Sequence, residues 1–367
     1  MPQDQRTKKL AELVVDYSLR VKPKENVVIA GSTEASDFIM ALYKEILWRG
    51  AYPIPIINLP GLNPFFYQNA SKHQLKKYPD HFDYLVKQTQ KYIGINTYFN
   101  TRELSGCDSK KIALRRKITQ PISNYIVNQK DKIRRCTVGY PCVALAQEAE
   151  MSLEDYENFV FDACLQDWKK NTQNLNKLLS LFKKGKTVEL IGENVDLKFK
   201  IRGKLAEADR GEENMPGGEI FVAPEKKSVE GHIKFDYPAI ETGNEVSGIY
   251  LEFKQGRVVK SRADKNEEFL RQMLGADANA SYLGEFGIGC NPRINRFTKN
   301  LLFDEKINGT IHLALGMAYK ENGGGNDSAI HWDIVKSMRH AKIVLDGRII
   351  QKDGVWQLKK SSNAVKI

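Results

Sequence analysis

Two short apolar stretches towards the end of the chain each carry a histidine that could bind a metal ion. In I-H-W-D-I-V the alternation of residue types predicts a strand with His331 and Asp333 on one face and Trp332 on the other. His312 is placed in the same way within T-I-H-L-A-L. Because imidazole nitrogens and carboxylate oxygens are common ligands of divalent metals, this spacing predicts a metal site.

Two glutamates beside glycines add to this set of donors. Glu219 follows two glycines in M-P-G-G-E-I-F-V, and Glu285 lies within L-G-E-F-G-I-G. A neighbouring glycine lets the backbone approach a ligand or metal closely. Taken alone, either glutamate fits a surface residue, and His312 alone fits a core histidine. Together, two Glu, two His and one Asp are too many donors for one simple site and about right for two divalent ions.

Length and composition are those of a globular protein with more than one core. At 367 residues the chain is expected to form two domains. The start of the chain lacks the apolar core of a signal peptide, and no apolar run approaches the roughly 20 residues that span a bilayer. The five cysteines form no C-x-x-C pair, which argues against a disulfide framework and a thiolate zinc site. We therefore expect a cytoplasmic protein with no membrane partner.

The first half of the chain has the pattern of an α/β domain. An amphipathic helix is predicted over residues 5–20, and N-V-V-I-A-G is followed by a helix to about Trp48 and a strand over 52–60. This β-α-β order predicts a mainly parallel sheet with helices on its faces. Residues 62–100 are expected to be irregular up to the strand K-Y-I-G-I-N. The turn G-S-T-E-A-S lacks both nucleotide-binding glycine motifs, so it is interpreted as a strand-to-helix turn.

The pattern changes after a helical segment predicted at 152–184, where Ser152 is the expected N-cap. T-V-E-L-I-G, D-L-K-F-K-I-R and G-I-Y-L-E-F predict short antiparallel strands. We place the domain border there. The expected organisation is an N-terminal α/β domain over 1–185 and, over 186–367, an α+β metal-binding catalytic domain rich in antiparallel strands.

Basic residues are concentrated away from the predicted metal site. Residues 1–185 contain 28 Lys and Arg against 19 Asp and Glu, whereas residues 186–367 contain 28 against 26. The densest basic runs, 110–117 and 130–135, lack the interleaved aromatics of a single-strand nucleic-acid platform. Solvated helix faces are the favoured interpretation. No nucleic-acid partner is expected, and a basic nucleic-acid-binding protein is the least favoured functional hypothesis.

Four motifs follow one another in the second half: P-G-G-E-I-F-V-A-P, L-G-E-F-G-I-G-C-N-P, G-T-I-H-L-A-L-G-M-A-Y and S-A-I-H-W-D-I-V. In this order they resemble the thermophilic metalloaminopeptidases of the aminopeptidase T, aminopeptidase S and PepS type. The resemblance is strong over 186–345 and weaker before it. It implies a homodimer that acts on peptides with a free N-terminus and holds two divalent ions, Zn, Co or Mn, in each chain. The implied metal ligands are Glu219, Glu285, His312, His331 and Asp333.

The resemblance also implies catalytic roles. Tyr319 falls on the active-site tyrosine of the family, where its hydroxyl would donate a hydrogen bond to the tetrahedral oxyanion. Glu285 would lie at the attacking water, as a ligand and a candidate general base. One departure from the family is a short loop, with eleven residues between Tyr319 and His331. It leaves the preferred N-terminal residue and the subunit packing open.

A second enzyme class uses part of the same set. His312, His331 and Asp333 alone would suit a mononuclear Fe(II) site, and a ring-cleaving dioxygenase of this fold resembles the peptidases. Such a site would not require Glu219 and Glu285, so their presence favours the aminopeptidase hypothesis.

Overall fold

The chain folds as two units within residues 4–241 and 243–357, which the computed structural model describes. The first unit runs to Gln166 and also contains Gly211–Gly217, and the second contains Asp167–Arg210 and the chain from Gly218 onwards. The helix Trp168–Phe182 is thereby grouped with the second unit. The domain border at residue 185 stays a prediction.

Helices are concentrated in the first half of the chain. Ser152 caps the eighth helix by accepting a hydrogen bond from the amide of Asp155 at 3.1 Å, and the helical segment predicted from there is divided into two. No helix in the described ranges is long and apolar enough to cross a bilayer. The helices are α1 (Gln5–Leu13, continued by a π-helical turn at Val14–Ser18), α2 (Ser36–Trp48), α3 (Leu62–Asn69), α4 (Lys72–Lys76), α5 (Asp80–Lys87), α6 (Ser109–Asn128), α7 (Val143–Glu148), α8 (Leu153–Cys164), α9 (Trp168–Phe182), α10 (Glu267–Leu274) and α11 (Leu301–Asp304).

Strands dominate the second half. In chain order they are β1 (Asn26–Ser32), β2 (Tyr52–Asn58), β3 (Lys91–Asn96), β4 (Arg134–Gly139), β5 (Thr187–Gly192), β6 (Val195–Lys200), β7 (Glu207–Asp209), β8 (Asn214–Met215), β9 (Glu219–Val222), β10 (Glu230–Lys234), β11 (Ala239–Glu241), β12 (Asn244–Val246), β13 (Tyr250–Lys254), β14 (Arg257–Arg262), β15 (Leu283–Gly289), β16 (Thr310–Gly316), β17 (His331–Ser337), β18 (Ala341–Leu345), β19 (Arg348–Lys352) and β20 (Val355–Trp356).

The first unit is built around a parallel sheet with the order β2-β1-β3-β4-β8. The centre of β1 is fully buried, and α2 buries Phe38, Leu42 and Ile46 at helical spacing. The predicted β-α-β arrangement is observed here. The basic run 110–117 lies in α6, as its interpretation as a helix face requires. The run 130–135, also interpreted as a helix face, instead forms a turn and the start of β4.

Residues 62–87 differ from the sequence prediction, because three short helices occupy a segment that was expected to be irregular. The helix α4 begins with a reciprocal cap in which the Ser71 hydroxyl accepts from the Gln74 amide and the Gln74 side chain accepts from the Ser71 amide. The helix α3 buries none of its residues, so it leaves no apolar period in the sequence. A local cap rather than an amphipathic stripe therefore defines α4, whereas α5 buries Val86 in a small apolar cluster.

Two antiparallel sheets pack face to face in the second unit. One has the order β14-β13-β10-β6-β5-β18-β19-β20 and the other the order β17-β16-β15-β9-β7. Their inner faces share one apolar core, in which the rings of Phe199 and Phe286 lie 5.1 Å apart in a T-shaped pair. The predicted fold class is therefore confirmed: a parallel α/β sheet precedes an α+β part that is rich in antiparallel strands.

Candidate metal centre

The five-stranded sheet of the second unit places the predicted donors on neighbouring strands. Ala314 of β16 lies opposite Glu285 of β15 on one side and Asp333 of β17 on the other. His312 is two residues from Ala314, so it points to the same face. On β9, Glu219 lies opposite Gly289 of β15. The register thus gathers donors that are distant in sequence.

The other face of the same sheet belongs to the apolar core. Trp332 and Ile334 alternate with the donors of β17, and Leu313 alternates with those of β16. Phe286 does the same beside Glu285. The alternation predicted from I-H-W-D-I-V is therefore observed, and burial of the apolar face fixes which residues face the site.

The ligand atoms are close to one another. Glu285, His312 and Asp333 are buried, and each offers an atom within 4.8 Å of the others. The His312 Nε2 atom lies 3.6 Å from Glu285 Oε1 and 3.3 Å from Glu219 Oε2. The His331 Nε2 atom lies 3.4 Å from Asp333 Oδ2. All five predicted ligands are therefore brought into one continuous group.

His331 is oriented by a backbone contact. Its Nδ1 atom lies 2.9 Å from the carbonyl oxygen of Met317, which can only accept, so Nδ1 carries the proton and donates. The Nε2 atom faces Asp333 and is the nitrogen left to bind a metal in the neutral ring, as is common for metal-binding histidines. The Tyr319 ring lies beside it, with ring centroids 5.2 Å apart.

Several buried polar atoms of this group have no hydrogen bond. Within the described part of the chain, neither ring nitrogen of His312 has a hydrogen-bond partner, and neither does the Oδ1 atom of Asp333. Buried polar atoms are almost always satisfied, so such orphans require a partner of another kind. A divalent cation is that partner for imidazole nitrogens and carboxylate oxygens together, and the residues present fit it.

Several of the five donors have raised pKa values in the metal-free group. Burial alone would lower the pKa of His312, but the carboxylates of Glu285 and Glu219 outweigh it and raise that pKa to about 9. Burial raises the pKa of Asp333 to about 6 and raises that of Glu219 well above its usual value. Bound cations favour the deprotonated forms, so metal binding at this group must displace protons.

One further charged residue at this group left no signal in the sequence. Lys306 is fully buried, with its Nζ atom 3.4 Å from Glu219 Oε1 and 4.0 Å from Asp209 Oδ2. It also contacts the carboxylate of Glu305. Burial opposes the charge of Lys306, but these carboxylates hold its pKa above the usual value. Only the strand register reveals that D-E-K-I supplies a cation beside Glu219.

Comparisons with known proteins identify the family of the chain. The family model described as Thermophilic metalloprotease (M29) matches residues 3–356. The chain belongs to this family. Aminopeptidase AmpS of Bacillus subtilis is 26% identical over 387 residues, covering 94% of this chain and 93% of that protein. The resemblance to the metalloaminopeptidases and the expected enzyme class are thus confirmed, and membership of a metalloprotease family implies divalent metal binding.

Two solved structures share the fold of this M29 family member. The structure of wild-type AmpT from Thermus thermophilus superposes with a TM-score of 0.82 and 22% identity, covering 96% of this chain and 99% of that one. The 2,5-dihydroxypyridine dioxygenase of Pseudomonas putida superposes with a TM-score of 0.58 and 14% identity, covering 95% and 96%. At these identities both similarities concern the fold.

The first prediction concerns Gly287, which lies opposite His312 in the sheet. A Cβ atom at this position would lie 1.9 Å from His312 Nε2, so the absence of a side chain makes room for the imidazole. We expect Gly287→Ala to displace the ring and to lower the content of bound divalent metal severely, with little change in the far-UV circular dichroism. Metal per chain, measured by plasma mass spectrometry, is the readout.

The matched control is Gly94→Ala in β3 of the first unit. A Cβ atom there would meet only the ring of Tyr92, at 3.9 Å, so this strand glycine should tolerate the change without loss of metal. A normal metal content in Gly287→Ala would contradict the conclusion that the missing side chain of Gly287 makes room for the imidazole of His312.

The second prediction concerns pH. Because the pKa of His312 is raised to about 9, its imidazole is protonated at neutral pH in the metal-free protein and must lose that proton on binding. The affinity for a divalent cation should therefore rise at least about tenfold for each pH unit between pH 7 and pH 9, because the loss of the His312 proton alone gives that slope. Calorimetric titration of metal-free protein in buffers of different ionisation enthalpy measures both affinity and released protons. An affinity that does not change with pH would contradict this assignment.

Proposed function

We propose that this protein is an aminopeptidase that uses two divalent ions to hydrolyse the N-terminal residue from peptides. The observation that carries the proposal is the group of five donors, of which four are buried and His331 is partly buried. Both ring nitrogens of His312 in this group lack a hydrogen bond within the described residues. The family membership and the aminopeptidase names of the relatives support the reaction class.

Two ions account for the donors better than one. Glu285, His312 and Asp333 form the centre of the group, and Glu219 and His331 extend it at opposite ends. Five donors exceed what a single catalytic ion with an open position requires. Zn, Co and Mn all accept such nitrogen and oxygen ligands, and we propose one of these metals.

Peptide hydrolysis requires a nucleophile near neutral pH and stabilisation of negative charge on the attacked carbonyl oxygen. Divalent ions bound here would supply the acidity of the attacking water and polarise the carbonyl group. The carboxylate of Glu285 would accept the proton of that water. The Tyr319 hydroxyl, beside His331, would donate a hydrogen bond to the oxyanion. The carboxylates of the group favour the free amino group of a peptide N-terminus.

The remaining properties are proposed on other grounds. The resemblance to the aminopeptidase family supports a homodimer. All five cysteines are free, including buried Cys136, Cys142, Cys164 and Cys290, which supports a reducing compartment such as the cytoplasm.

The alternative hypotheses are less well supported. A mononuclear iron dioxygenase would leave the buried Glu219, 3.3 Å from His312, without a role, and the similar dioxygenase supports only the fold. The basic run in α6 has structural partners: Lys111 donates to the carbonyl oxygen of Tyr67, and Arg115 donates to that of Lys77. These contacts favour a helix face over a nucleic-acid surface.

The test of the proposed function combines metal content with substrate blocking. We expect about two divalent ions per chain, cleavage of unblocked peptides, and no cleavage of the same peptides after N-acetylation. A chelator should abolish activity, and Zn²⁺, Co²⁺ or Mn²⁺ should restore it. The near-isosteric change Glu285→Gln should abolish turnover and leave the fold intact. One equivalent of iron, with no amidase activity under any metal, would end the aminopeptidase hypothesis.

A further prediction separates catalysis from binding at Tyr319. The Tyr319→Phe change removes a hydroxyl and keeps the ring that packs beside His331. Loss of one oxyanion donor should lower kcat by about 10²–10³-fold with little change in KM. Steady-state kinetics with an unblocked peptide give both values. A change confined to KM would make Tyr319 a substrate-binding residue instead.

A further inference from the structure

The two carboxylate oxygens of one candidate ligand, Glu219, have different neighbours, and one of these neighbours is a buried lysine. The Glu219 Oε1 atom lies 3.4 Å from Lys306 Nζ, whereas its Oε2 atom lies 3.3 Å from His312 Nε2. We propose that Lys306 is a positioning residue for the metal centre, which holds one oxygen of Glu219 so that the other faces the metal ions. This inference rests on the proposed two-metal function.

The fold delivers Lys306 to Glu219 through a missing side chain. Gly289 pairs with Glu219 in the sheet, and a Cβ atom on it would lie 2.0 Å from the carbonyl oxygen of Ile307 and 2.8 Å from the carbonyl carbon of Lys306. The turn after α11 can therefore lie directly against β15. The Asn291 amide donates to the Lys306 carbonyl oxygen at 3.0 Å and fixes the turn.

Other carboxylates hold the ammonium group in place from further directions. Asp209 of β7 pairs with Glu219 in the sheet, and its Oδ2 atom lies 4.0 Å from Lys306 Nζ. The side chain of Glu305 contacts the same atom. Several carboxylates surround the compact charge of Lys306, so its position is fixed. Its contact with Glu219 then fixes the position of that carboxylate.

The sign of the effect distinguishes positioning from bulk electrostatics. Removal of a positive charge near a cation site should strengthen cation binding by Coulomb's law. Loss of a residue that orients a ligand should weaken it, and outer-shell changes of this kind typically cost 10–100-fold in metal affinity. Positioning by Lys306 therefore predicts a loss where charge alone predicts a gain.

The experiment measures Zn²⁺ affinity and stoichiometry of metal-free full-length protein with a competing chelator. We expect Lys306→Met and Lys306→Gln to weaken binding of one ion 10–100-fold. In the Glu219→Gln background, the added Lys306→Met change should alter binding of the remaining ion less than about threefold, because the carboxylate through which Lys306 acts is gone. Thermal unfolding of each metal-free variant is recorded alongside.

The matched control is Lys336→Met. Lys336 is a buried lysine of β17 in the same sheet, and its ammonium donates to Asp236 at 3.1 Å, away from the five donors. Its loss should reduce stability and leave Zn²⁺ affinity unchanged.

Each other outcome overturns the proposal. Unchanged or stronger Zn²⁺ binding in the Lys306 variants excludes positioning, as does an equal loss with and without the Glu219→Gln change. If both Lys306 variants remain unfolded with and without Zn²⁺ while Lys336→Met folds, Lys306 serves the fold alone. A wild-type protein that binds a single ion would refute the two-metal function itself, which is a separate result.

Discussion

The concentration of negative charge on one buried sheet face is the constraint on which the second unit depends. Three carboxylates and two histidines converge there, with Asp209 and Glu305 close behind Glu219. Buried charges of one sign are costly unless cations compensate them. Among the described residues, Lys306 supplies a cation there, and the raised pKa values of His312 and Asp333 favour protonation of the remaining groups. Bound divalent ions satisfy the same demand and add chemistry to it.

Rigidity comes from the opposite face of the same sheet. Phe286, Trp332 and their neighbours are buried against a second sheet. A one-residue slip of a strand would turn its donors into the apolar core and its apolar side chains towards the metal site. Packing of this density holds the donor strands in register without help from the donors themselves. Glycines on β15 then create space on the crowded face, at Gly287 for the imidazole of His312 and at Gly289 for the turn that carries Lys306.

The sequence predicted what depends on periodicity. Alternation in I-H-W-D-I-V assigned both faces of β17, and the β-α-β order assigned the parallel sheet. It could not predict contacts created by strand register and turns. Lys306 follows a four-residue helix and meets Glu219 across 87 positions, with no repeat to indicate it. The helices α3 and α4 were missed because neither has an apolar stripe: α3 buries none of its residues, and α4 is a short helix that begins with a reciprocal cap.

A shared fold with a dioxygenase shows that this scaffold alone does not determine the reaction. Strands β16 and β17 carry His312, His331 and Asp333, a set that suffices for one metal ion. Glu285 and Glu219 enter from β15 and β9, on the other side of β16. Each added carboxylate raises the cationic charge that the site can hold. Glu219 is also in contact with the buried Lys306. Under the proposed two-metal function, the donors for a second ion therefore come from two strands, and the turn after α11 brings Lys306 to one of them.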